Sequence, residues 1–501
     1  MENINFQDVK KRSLKSVLTL FTQSGYSAIL GFLALTMLTI TNGTNLLGIY
    51  GVVLSSLTFF NYITDLGLGA ALMQKPQITE KDKNSVFWIQ MSMGLIVFIF
   101  SFFWGEKFIA SYSDAPNGTI YLFWSVILAF IMIIARTVPS VLLEKEHAIY
   151  KVVLIQSFES TLFYLTIIIG SFMGLGIWAL IGAVLLRAII GTFGMYRLHP
   201  FRPGFRVGFD SIKYLLSFGL PFQLNSFIAV VKDDLLMIYL SKVMGLADFG
   251  LFTFGKKYGE FALRLINDNL NRVAFPIFAR YQLDPILLKK NIEKIFSLSL
   301  SLLIPALFVS AVVLPQIISL NAGYQLKWMP ALDVFFLFLI SSFFVGIFSP
   351  VINLFNATGR VIWSVVMMII FTILIWLAVP VLVKIYGLQG AASGFLIVNL
   401  LSSLLIFTTL KIAKISFSKI FSSAIFAGLA FGLVINTIKF LGNVLALNVL
   451  VLIVFEVIVG GLVWVLIMMT LEKETITKSV KLLSDKINFG FLKIRNTSDI
   501  R

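Results

Sequence analysis

The sequence predicts an all-α polytopic membrane protein of about fourteen transmembrane helices: two six-helix parallel repeats followed by two further helices. Three observations predict it. Of 501 residues, 58% are hydrophobic and only 13% charged, against about 45–50% and about 25% in soluble domains. Such a chain cannot cover its own surface with polar groups. Apolar runs of about 20 residues recur from end to end, and Lys and Arg collect on alternate connections between them.

Span 1 (14–40) follows Lys10, Lys11, Arg12 and Lys15. Its apolar stretch is too long for a signal peptide and no small-residue cleavage pattern follows, so it reads as a signal anchor. Spans 2 to 6 follow at 46–73, 86–104, 119–143, 152–172 and 175–195. After a basic linker come spans 7 to 12 at 214–240, 247–272, 295–320, 331–356, 361–383 and 388–410. Spans 13 and 14 lie at 420–440 and 445–471, and a mixed-charge tail from Glu472 reads as an amphipathic surface helix. With the N-terminus placed in the cytoplasm, the inner segments hold 28 Lys/Arg and the outer loops five. Both termini are then cytoplasmic. The 13 acids on the inner side leave it at +15, nearly the whole formal charge of +16, so the basicity reports topology and no nucleic-acid partner is expected.

The absence of cysteine removes disulfides, thiolate metal sites and cysteine nucleophiles. His147 and His199 fall in separate polar loops, so no histidine metal centre and no cofactor are expected. No connection is long enough for an extramembrane catalytic domain. The run Gly250–Lys257, GLFTFGKK, approximates a phosphate loop, but it lacks the final Ser/Thr and lies inside an apolar span. The small-residue patterns at Gly390–Gly394 and at Gly428 with Gly432 read as helix-packing positions.

Short matches recur at growing offsets of 198, 202, 211 and 213 residues: Lys15 with Lys213, Gly48-Ile49-Tyr50 with Gly250-Leu251-Phe252, Pro139 with Pro350, and Gly174-Leu175 with Gly387-Leu388. Since six spans is an even number, both halves start on the same side, giving a parallel repeat. The expected organisation is an N-terminal bundle at 1–195, a cytoplasmic linker at 196–213, a second bundle at 214–410, the extra helices at 411–471 and a cytoplasmic tail at 472–501.

Seven cations and seven acids lie within the spans: Arg136, Arg187, Lys232, Lys256, Lys257, Arg264 and Arg272, with Asp65, Glu159, Asp233, Asp234, Glu260, Asp268 and Glu456. Each ionised group at mid-membrane costs roughly 2.5–3.5 kcal/mol on insertion scales, so they must line a polar cavity or pair. In span 8, Lys256, Glu260, Arg264, Asp268 and Arg272 recur every four residues. Two readings of this stripe stand side by side. One is a hydrated cavity whose excess cations receive an anionic head group; the other is a self-neutralising i,i+4 ladder that braces the bundle. On the first reading, Lys256, Lys257 and Arg264 contact the anionic head group, joined by Arg136 and Arg187 from the first half. Asp233 and Asp234, adjacent acids beside Lys232, are candidates for ion coupling, with Glu260 as the alternative; the competing reading is a static ion pair.

Several motifs together resemble the Wzx-type polysaccharide transporters of the MOP (multidrug/oligosaccharidyl-lipid/polysaccharide) superfamily. They are Leu47-Gly48-Ile49-Tyr50, the run Asp65-Leu66-Gly67-Leu68-Gly69-Ala70-Ala71-Leu72-Met73-Gln74, Gly174–Leu180, and Arg202-Pro203. Asp233-Asp234, Arg272–Pro276, Trp328 and Ala357–Arg360 complete the set. The sequence departs from the pattern at Leu38–Gly43, which lacks a charged turn, and at Glu144. The resemblance implies a MATE-like fold and a non-enzymatic flippase in the cell inner membrane, exporting polyprenyl-diphosphate-linked oligosaccharide for a surface polysaccharide. A polymerase and glycosyltransferases are the implied protein partners, membrane lipids the surroundings, and a monomer the expected state. Alternatives of the same superfamily are a lipid II flippase and a multidrug cation antiporter, the latter disfavoured by a basic cavity. A membrane enzyme would need a large outer loop or a histidine cluster, and a pure scaffold would not need the central charges.

Overall fold

The computed structural model describes residues 6–146, 148–412, 417–444 and 448–471; His147 and the tail from Glu472 lie outside the described residues. Among these residues every regular element is helical: α1 (Phe6–Thr41), α2 (Thr44–Asp65), α3 (Leu68–Gln74), α4 (Glu80–Ala110), α5 (Thr119–Ala135), α6 (Thr137–Lys145), α7 (Ile149–Phe172), α8 (Ile177–Leu198) and α9 (Phe209–Val230). A π-helical turn at Val231–Leu235 leads into α10 (Leu236–Gly259), α11 (Phe261–Tyr281), α12 (Pro285–Ser319), α13 (Ala322–Trp328), α14 (Ala331–Ala357), α15 (Val361–Ile412), α16 (Phe417–Val444) and α17 (Val449–Leu471). Nine helical stretches among the described residues are long and apolar enough to cross a membrane. Their outer faces are greasy, as on α4, where Leu95, Ile96, Ile99, Phe102 and Phe103 are exposed. The chain is an all-α polytopic membrane protein.

Several expected spans are broken, each for a local reason. The span expected at 46–73 divides between α2 and α3, because Leu66 and Gly67 adopt left-handed backbone (φ 49° and 69°). A leucine there costs about 1–2 kcal/mol. Asp65 offsets it by accepting from the backbone N–H groups of Gly67 and Gly69, and Gln90 Nε2 donates to the same carboxylate at 3.0 Å. The span expected at 119–143 breaks at Arg136 (φ −92°, ψ 0°). Pro139 cannot donate and its ring would collide with the Ala135 carbonyl four residues back. Tyr196 Oη bonds that carbonyl at 2.8 Å, and Thr192 Oγ1 bonds the Met132 carbonyl at 2.9 Å. Gly245 (φ 78°) and Gly387 (φ 58°) make the sharp corners expected between spans 7 and 8 and between spans 11 and 12.

Two compact units form. One comprises Met1–Lys257, Pro330–Phe338 and Arg360–Asn399; the other comprises Tyr258–Met329, Leu339–Gly359 and Leu400–Arg501. The first has cores around Leu68, Leu72, Val138 and Leu215 and around Ile127 and Phe130. Its linker is pinned to α4: Trp88 Nε1 donates to the Gly204 carbonyl at 2.9 Å, and the Gly204 N–H donates to Asn84 Oδ1 at 2.9 Å. In the second unit, Ala262, Leu263, Leu303 and Leu307 form the core. Gly428 and Gly432 seat α16 on Ile304 and Phe308 of α12, a packing role for these glycines.

Candidate functional site

Within the first unit, the proline break places Arg136 at the end of α5 facing α7. There it grips Glu159 with two bonds, Nη1 to Oε2 at 2.5 Å and Nη2 to Oε1 at 3.2 Å. Glu159 is buried and Arg136 mostly so, with side chains 2% and 14% exposed. Arg187 of α8 approaches the same carboxylate, its Nε 3.8 Å from Oε1, yet its side chain stays 45% exposed. Its guanidinium lies over the Phe163 ring at 5.4 Å. Room for three side chains exists because residue 191 is glycine: a Cβ there would collide with Arg136 and Glu159. One acid thus meets two arginines, leaving an excess positive charge on the exposed member.

Two tyrosines extend this group. Tyr50 of α2 and Tyr164 of α7 lie within electrostatic reach of Arg187. Lys257 Nζ sits 4.6 Å from the centre of the Tyr50 ring. The neighbouring Lys256 is turned by about 100° on the helix, and its ammonium lies 4.5 Å from the Phe395 ring and 5.5 Å from Phe338. The expected pair therefore does not converge: Lys257 turns toward Tyr50, and Lys256 into an aromatic pocket of α14 and α15. Cations held over aromatic faces keep part of their stabilisation out of water.

The expected stripe on span 8 does not run along one helix, which is a correction. The chain breaks at Glu260 (φ −92°, ψ −5°), between α10 and α11. In the second unit Arg264 donates to Glu260 Oε2 from Nε and Nη2 at 3.2 and 2.8 Å, the i,i+4 bracing pair of the alternative reading. Arg264 is 68% exposed and Glu260 17%. The side chain of Arg272 lies outside the described residues.

Lys232, Asp233 and Asp234 occupy the π turn. Lys232 Nζ pairs with Asp233 Oδ1 at 3.1 Å, while Trp376 Nε1 donates to the Val231 carbonyl at 3.1 Å. Single π turns are rare and recur at functional sites.

A family profile described as "Polysaccharide biosynthesis protein" matches residues 44–332, more than half of the chain. The chain belongs to this polysaccharide biosynthesis protein family. The match begins at the start of α2 and ends in the first turn of α14, so it covers Tyr50, Arg136, Glu159, Arg187 and Lys257 together. The chain is 24% identical over 378 residues to the lipopolysaccharide biosynthesis protein WzxC of Escherichia coli K12, covering 75% of this chain and 76% of the relative. It is 26% identical over 312 residues to the teichuronic acid biosynthesis protein TuaB of Bacillus subtilis, covering 60% and 62%. In fold it is similar to the lipid II flippase MurJ in an inward closed conformation, with a TM-score of 0.73 and 15% identity over 91% of this chain and 99% of that one. A multidrug MATE transporter of the MOP superfamily, inward-facing, gives a TM-score of 0.63 at 15% identity, covering 77% and 95%.

In this family member, sequence reading singled out the arginines and Lys257 but not Tyr50, Tyr164 or the role of Glu159. Tyr50 did stand in a quoted motif, Leu47–Tyr50. Nothing in a linear sequence couples positions 136, 159 and 187, since their spacings belong to three helices.

Proposed function

We propose that the chain is a flippase that carries polyprenyl-diphosphate-linked oligosaccharide across the cytoplasmic membrane for surface polysaccharide synthesis. The observation that carries this reading is the chain of neighbours that runs from Glu159 through Arg187 to Tyr164 and Tyr50, and from Tyr50 to Lys257. It combines excess positive charge for a diphosphate with aromatic faces and hydroxyls for sugars. Arg136 serves this group as the partner that neutralises Glu159; Lys256 and Arg264 are the further diphosphate candidates. No covalent chemistry is required of the protein, and the structural neighbours are named as a flippase and a transporter.

The transport cycle is an alternation between the bundles 1–195 and 214–410, with fourteen spans, both termini cytoplasmic, and Asp233, Asp234 or Glu260 as the coupling acids. A polymerase and glycosyltransferases supply and consume the substrate, and the unit of function is a monomer. The test is flipping of a lipid-linked oligosaccharide in proteoliposomes. Arg187→Gln and Lys257→Gln should each reduce it by at least tenfold, and the Lys256/Lys257/Arg264 triple Gln variant should abolish it with insertion intact. Full flipping by that triple variant overturns the diphosphate assignment. Transport of lipid II in place of sugar-only substrates would move the assignment within the superfamily, and cation efflux would remove it.

A further inference from the structure

The second unit holds a titratable group that no step above uses. Helix α17 turns an apolar face outward, with Val451, Val454, Phe455, Ile458, Leu462 and Leu466 exposed. The opposite stripe faces protein at four-residue spacing: Leu452, Glu456, Gly460 and Trp464. Gly460 abuts the Phe431 ring of α16, and Trp464 Nε1 donates to the Ser301 carbonyl of α12 at 2.9 Å. In the middle of this otherwise apolar seam, Glu456 is 1% exposed. Among the described residues its direct polar partner is Gln316 of α12, whose Nε2 lies 2.9 Å from both carboxylate oxygens.

Gln316 is itself only 7% exposed, and its Oε1 has no hydrogen-bond partner. Of the titratable groups on the packed helices, Lys439 of α16 acts on Glu456 through space but makes no ion pair with it within 4 Å. The other lysine of α16, Lys419, is twenty residues from Lys439. Those of α12 (Lys289, Lys290, Glu293 and Lys294) lie more than twenty residues from Gln316, about 33 Å along a helix.

An ionised carboxylate offers acceptors only, so it can satisfy the amide N–H and must leave the amide oxygen orphaned. A carboxylic acid matches a primary amide on both edges, its O–H donating to Oε1 while its carbonyl accepts from Nε2. A small rotation of Gln316 converts the observed arrangement into that pair. A buried carboxylate without an ion-paired cation is costly, whereas the protonated pair has no unsatisfied atom.

We propose that Glu456 and Gln316 form a proton-binding site, in which the Glu456 carboxylate takes up and releases one proton and thereby resets how α17 is fastened to α12. The ligand is a proton from bulk water, and binding converts carboxylate to carboxylic acid with no other change of bonds. The link to transport rests on the flippase reading; the binding itself does not.

Infrared difference spectra of the full-length protein in lipid, acidic against alkaline, should contain a protonated-carboxyl carbonyl band that is lost in Glu456→Gln and kept in Glu260→Gln. Gln316→Leu should keep the band and move its pH midpoint. An unchanged spectrum in Glu456→Gln, or a band that persists at every pH, overturns the proposal. If Glu456→Gln does not insert, Gln316→Leu decides, and an unmoved midpoint overturns it. In proteoliposomes, wild-type flipping should respond to an imposed proton gradient, and Glu456→Gln should flip with that response weakened. A wild type that flips nothing would sink the transport reading while leaving the infrared result standing.

Discussion

Glu159 holds Arg136 with two bonds and Arg187 at longer range, and the two arginines should respond differently to replacement. Arg136→Gln strands a carboxylate that is 2% exposed, and removing one partner of a buried pair costs about 3–5 kcal/mol. The purified variant should melt well below wild type. Arg187→Gln removes the more exposed cation, so its melting temperature should stay near wild type while flipping falls. Thermal melting and flipping measured on both variants check this split; equal thermal losses would contradict it. The presence of buried cations was legible from charges inside apolar runs. Their pairing was not, because the contact joins α5, α7 and α8 across 23 and 28 residues. The turning apart of Lys256 and Lys257 follows from helical geometry, but which helix each would meet depends on packing that hydropathy does not encode.

At the scale of elements, hydropathy marked a chain of many apolar helices but not where those helices are interrupted. The corners at Gly245 and Gly387 fall where the apolar runs are expected to end. The breaks at Leu66-Gly67, Arg136 and Glu260 fall inside runs, where side chains rather than hydrophobicity decide. Asp65 holds the first of these, and its effect is testable: Asp65→Ala leaves the left-handed Leu66 uncompensated. It should destabilise the protein by about 1–3 kcal/mol, the cost of unsatisfied buried donors, with Asp65→Asn recovering part of the loss in the same melting assay. Glycine matters most where helices touch. A Cβ on Gly48 would strike the Leu246 carbonyl, and one on Gly250 the Thr44 carbonyl. Further along, Gly67 and Gly219 meet backbone to backbone in the same way. The offset matching had already aligned Gly48 with Gly250, and these two positions lie against each other. Gly250→Leu should force α2 and α10 apart, read as a lower melting temperature.

For the whole molecule, membrane character was legible from composition alone, while the closeness of α2, α3 and α4 to α9 and α10 within the first unit was not. Near Gly48, Tyr112 Oη and Ser241 Oγ are 2.7 Å apart, the Lys242 ammonium lies over the Tyr112 ring at 3.2 Å, and the Ala247 N–H reaches Asp114 at 3.3 Å. At the end of α3, Tyr214 Oη donates to Gln74 Oε1 at 3.0 Å. Because the chain has no cysteine, a Tyr112→Cys/Ser241→Cys pair can be oxidised without side reactions. Flipping should stop on oxidation and return on reduction; undiminished flipping with the bridge formed would exclude alternation at this end. The two glycine contacts, at Gly48 in α2 and at Gly67 just past its end, lie 19 residues apart, about 28 Å at the helical rise, close to the roughly 30 Å of a hydrocarbon core. A rod fastened near both faces of a membrane behaves as a lever: releasing one fastening makes the other the fulcrum. Under the proposed alternation, such a lever would pass its cargo without a moment in which both faces stand open. The cell's ion gradients would then survive each turnover, with no leak current through the carrier.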